Sequence, residues 1–71
     1  MKGFGYLIDS KTSRICEAYS VRQGITIEEA MKVFFASTTY RILIDKETGL
    51  YLEVYEFVYD MFLEEIGEIL E

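Results

Sequence analysis

The sequence predicts an all-α fold, a small bundle of three to four helices with a long C-terminal helix. Three observations point there. Apolar residues at Tyr51, Tyr55, Val58, Phe62, Ile66 and Ile69 recur in steps of three and four, the period of one helix face. Thr26-Ile27-Glu28-Glu29 has the form of a capping box, in which a threonine hydroxyl and a glutamate carboxylate satisfy each other's backbone N–H groups at a helix start. Gly24 follows a stretch whose Leu7, Ile8, Ile15, Ala18 and Tyr19 lie near one helical face, and glycine is the residue that ends helices in a left-handed turn.

The opening MKGFG reads as a short lead-in; its two glycines lack the third glycine and the preceding strand of a phosphate loop. A first helix is expected over residues 6–23. Its weak segment is Asp9-Ser10-Lys11-Thr12-Ser13, where only Lys11 has good helix propensity. A later start capped by Asp9 or Ser10, with residues 4–8 extended, is the competing reading. The second helix should run over residues 27–36 and bury Ala30, Met31, Phe34 and part of Phe35. Ile25 and Ala30 stand at hydrophobic-staple spacing around its cap. Ser37-Thr38-Thr39 should break it and can cap the next element, because short hydroxyl side chains compete for backbone hydrogen bonds.

Residues 40–54 fit two patterns. A helix would hold Thr39, Ile42, Leu43 and Lys46 in register and stop at Gly49. A β-hairpin would set two apolar, β-branched runs around a 46–49 turn and make the fold α+β. In either case Asp45 should accept backbone N–H bonds in the turn that Gly49 closes. The C-terminal helix should then occupy residues 54–70, with Phe34, Val58 and Phe62 central in the core and the earlier segments packed against it.

A chain of 71 residues, 51 % apolar, makes one globular domain spanning 1–71. So small a domain buries only about 60 % of its unfolded surface, so its core is marginal without support, and oligomerisation is one source of it. Cys16 is the lone cysteine, which fits a reducing, cytoplasmic setting and a small buried hydrophobe. Without histidine or a second cysteine the usual zinc sites are missing, and no cofactor motif is present. No apolar run approaches the length of a membrane span, and the N-terminal apolar run, interrupted by Asp9, is too short for a signal peptide.

Charge is divided along the chain. Residues 1–46 hold all seven bases against five acids, whereas residues 47–71 hold eight acids and no base. Phosphate backbones are bound by clustered Lys and Arg, so direct nucleic-acid binding is disfavoured. A basic protein partner suits the acidic half better.

Residues 24–65 resemble small uncharacterised helical proteins of Firmicutes and other gut bacteria. The matching residues are Gly24-Ile25-Thr26, Glu28-Glu29-Ala30, Val33-Phe34-Phe35, Ser37, Tyr40, Leu43, Asp45, Glu47-Thr48-Gly49-Leu50-Tyr51 and Phe57-Val58-Tyr59. Related short proteins look like antitoxin-like companions of toxins of the ADP-ribosyltransferase type. The resemblance implies an all-α interaction protein and brings no catalytic residues with it.

The candidate site is therefore a surface for a partner. Glu56, Asp60, Glu64 and Glu68 follow one another at four-residue steps, a like-charged row that mildly destabilises an isolated helix. Apolar residues cover more than half of the helix circumference between Val54 and Phe62, more than one neighbour can bury. Tyr55, Phe57 and Met61 should supply affinity and the four carboxylates partner choice, in a non-catalytic domain that binds a basic protein through its C-terminal helix. The alternatives are a homodimer that pairs through the same apolar side, and a nucleic-acid-binding regulator using Lys11, Arg14, Arg22, Lys32 and Arg41. No nucleophile, base and orienting group stand together, so an enzyme is not expected.

Overall fold

Helix α1 (Phe4–Gln23) is the longest element of the computed structural model, which describes residues 3–67. Its buried residues Ile8, Thr12, Ile15, Cys16, Tyr19 and Ser20 follow the helical period through the weak segment. Burial of that face outweighs the poor propensity of Asp9 to Ser13, so the helix begins at Phe4 and not at a cap inside the segment. Gly24, at φ 67° and ψ 35°, is left-handed as expected, and its N–H donates back to the α1 carbonyls.

Helix α2 (Ile27–Phe35) starts at the predicted capping box. The Glu29 amide donates to Thr26 Oγ1 at 3.1 Å, and the Thr26 amide donates to Glu29 Oε1 at 3.0 Å. Ala30 and Phe34 are fully buried; Met31 is half-buried, and Phe35 remains 43 % exposed. Ser37 then ends one helix and caps the next, as the sequence suggests. Its hydroxyl donates to the Phe34 carbonyl and accepts from the Tyr40 amide of α3 (Thr38–Leu43).

Among the described residues there is no strand, and the hairpin alternative for residues 40–54 does not occur. The single helix envisaged there is also shorter, because Asp45 leaves the helical region at φ −89° and ψ 107°. Two 3-10 turns, Lys46–Thr48 and Leu50–Leu52, come after it. Asp45 Oδ1 accepts from the Glu47 amide at 3.1 Å, and Gly49 closes the first turn at φ 74°. The Thr48 hydroxyl ties this turn back to α3, donating to the Ile42 and Asp45 carbonyls.

The expected long C-terminal helix is a correction. Helix α4 (Tyr55–Glu65) has 11 residues, against 20 in α1. Gly67 stops it: at φ 77° the residue is left-handed, and its N–H donates to the Glu64 carbonyl at 3.1 Å. Glu68, Ile69 and Leu70, which the apolar periodicity placed on the same helix, lie outside the described residues. Nor does everything pack against the C-terminal helix. Helix α1 lies along α2 and also meets α4 and the second 3-10 turn, while α3 rests on α4.

The expected core residues are at its centre, since Phe34, Val58 and Phe62 are all fully buried. Phe62 meets Phe34 at 5.0 Å and Tyr19 at 5.1 Å, both edge to face, so one ring joins α1, α2 and α4. Such pairs contribute about 0.5–1.5 kcal/mol each beyond the area they bury. At the other end of α1, Phe4 meets Tyr51 edge to face at 4.7 Å. Cys16 is buried, as expected of a small hydrophobe. Burial pushes its thiol up to about 11, so it stays protonated and is a poor nucleophile at neutral pH.

Candidate interaction surface

The structure divides the residues predicted to meet a partner between two sides of α4. Tyr55 turns toward α1. Its ring stacks on Tyr59 with centroids 5.6 Å apart and planes 12° from parallel, and the Arg14 guanidinium lies 4.2 Å from its centroid. Burial raises the Tyr55 phenol; Arg14 opposes that, while Glu56 and Asp60 reinforce it, and the group ends above its ordinary value. It is a neutral packing residue that joins α4 to α1 and occupies one of the five bases proposed for phosphate contacts.

Phe57 and Met61 lie on another side. Val54, Phe57 and Met61 fall at i, i+3 and i+7, so they form one strip along α4. Val54 is 64 % and Phe57 49 % exposed. Met61 is half-buried where it lines a shallow depression of about 330 Å³ with Ile42 and Thr39 of α3, edged by Glu64 and Glu65. Asp60 and Glu64 stand three and seven residues after Phe57 and so border the strip; Glu56 lies further round the helix. All three carboxylates are exposed, and among the described residues no base is paired with any of them. Glu68 lies outside the described residues.

Sequence reasoning passed over two features. Glu65, one residue beyond the acidic row, is structural: it reaches across to the start of α3. No local signal marks it, because its partners are 26 and 27 residues away. The second is a groove of about 450 Å³ between α1 and α2. Thr12 and Cys16 form its floor, Asp9, Ser13 and Glu17 run along its α1 side, and Ile27, Met31 and Phe35 along its α2 side. Its sequence signal was the four-residue repeat of Ile27, Met31 and Phe35, which the packing face of Ala30 and Phe34 does not absorb.

Among the described residues no three carboxylate or thiol side chains converge as metal ligands, and no helix is long and apolar enough to cross a membrane. Comparison with protein-family models, with curated proteins and with solved structures finds no significant match.

Proposed function

We propose that the chain is a non-catalytic protein-interaction domain that receives a basic protein partner on the Phe57 side of α4. The observation that carries this reading is a half-exposed phenylalanine set between Val54 and Met61, beside two carboxylates that no base pairs with among the described residues. Aromatic residues supply most of the energy at interface centres, whereas exposed charges steer encounter and select the sign of the partner. Tyr55 contributes indirectly, by fixing α4 on α1. The resemblance of residues 24–65 to small helical proteins, whose related short proteins look like antitoxin-like companions, makes the product of an adjacent gene the first partner to test. The experiment is stopped-flow association with that protein. Replacing Glu56, Asp60 and Glu64 by glutamine should slow association and flatten its salt dependence, and Phe57→Ser should chiefly speed dissociation. Wild-type kinetics in both variants would end the proposal. Sedimentation as a dimer that Phe57→Ser dissociates would assign the strip to self-association instead.

A further inference from the structure

The α1/α2 groove uses none of the residues of the α4 surface and is independent of it. Its two sides differ in chemistry. The α2 side is apolar, with Ile27 40 % and Phe35 43 % exposed at its ends and Met31 between them. The α1 side carries Asp9 and Glu17 at either end of Ser13; both are exposed, and neither is paired with a base among the described residues. In the floor, Thr12 is 9 % exposed and its hydroxyl has no hydrogen-bond partner among the described residues. Each side runs from i to i+8, about 12 Å of helix, which is the length that two turns of another helix present.

We infer that this groove docks an amphipathic α-helix of a partner protein, with apolar residues against Ile27, Met31 and Phe35 and lysine or arginine on the flank facing Asp9 and Glu17. Charge complementarity selects this occupant. A second copy offering its Val54 to Met61 strip, which Asp60 and Glu64 border, would bring carboxylates against carboxylates, and a copy offering this same groove would bring a second Asp9 and Glu17 with it. A small apolar ligand would fill the α2 side and leave the carboxylate row unused. A helix with one apolar face and one basic flank engages both, the pattern of helix-in-groove recognition.

The test is fluorescence anisotropy with a labelled, stapled peptide of about 16 residues, roughly four helical turns. Its leucines occupy one face and its lysines one flank, and a second peptide carries glutamate in place of lysine. The lysine peptide should bind and the glutamate peptide should not. Phe35→Ser, at an exposed position whose folding circular dichroism verifies, should weaken binding about tenfold, as expected for losing one apolar anchor. The double change D9N and E17Q should weaken it and flatten its salt dependence. The double change E47Q and E53Q, at exposed carboxylates that belong to neither surface, should leave it unaltered. Amide shifts on adding peptide should concentrate in α1 and α2. No binding, equal loss from both acidic double changes, shifts centred on α4, or a dimer that Phe35→Ser dissociates would each overturn the inference.

Discussion

Glu65 Oε1 accepts hydrogen bonds from both the amide and the hydroxyl of Thr39, each at 2.8 Å, while Oε2 accepts from the Thr38 amide at 2.7 Å. The Tyr40 amide goes to Ser37 Oγ and the Ser37 amide to the Phe34 carbonyl. Every N–H that the start of α3 leaves unbonded is thereby satisfied, half of them by a residue of α4. A helix of six residues does not hold by itself in water, so this clasp and the burial of Leu43 account for α3.

Removing the clasp should destabilise the fold. Glu65→Ala is expected to cost about 0.5–2 kcal/mol, the range for losing a helix-capping acceptor, measured by urea unfolding. The carboxyl also sets a pH dependence. Desolvation raises it, but hydrogen bonds from the Thr38 and Thr39 backbone and hydroxyls outweigh that and leave it below the usual range. With the folded value depressed, its contribution is complete above the unfolded value of about 4.3 and is lost as pH falls through the folded value. The wild type should therefore lose more stability than Glu65→Ala between neutral pH and pH of about 3. Parallel pH profiles would show that the carboxylate is solvated rather than clasped.

Phe62→Ala should cost about 3–5 kcal/mol, because it removes both edge-to-face contacts and leaves a cavity where α1, α2 and α4 meet. That approaches the whole stability of a domain this small. Thermal unfolding checks it: a cooperative transition within a few degrees of wild type would contradict the central place given to this ring.

Thr12→Val should stabilise the protein by about 1 kcal/mol. The hydroxyl is buried without a hydrogen-bond partner among the described residues, and such a group costs about 1–3 kcal/mol. Threonine and valine have similar helix propensities, so the backbone term nearly cancels. A lower melting temperature in the variant would mean that the hydroxyl is bonded in solution.

What the sequence determined by itself is the local part: where the helices are punctuated and which rings are central. Thr26 with Glu29, Gly24 as a left-handed stop, Ser37 as a cap and Asp45 with Gly49 act over two to four residues, so their chemistry is written in adjacent letters. Phe34, Val58 and Phe62 were legible because a helical period repeats its buried face. The end of α4 was also present in the sequence, in Gly67, but the apolar steps to Ile66 and Ile69 masked it; a left-handed glycine outweighs periodicity. Only the tertiary structure decided the rest. Residues 40–54 suit a helix or a hairpin locally, and the carboxylate that favours helix α3 comes from Glu65, far along the chain. The same holds for the exposed surfaces. Periodicity set Tyr55 on the face of Val58 and Phe62 and left Phe57 off it, but not what Tyr55 meets there, which is Arg14 of α1 over its ring while Phe57 stays half in water. Which of the remaining apolar side chains stay exposed depends on which neighbours arrive, and periodicity within one helix does not name those neighbours.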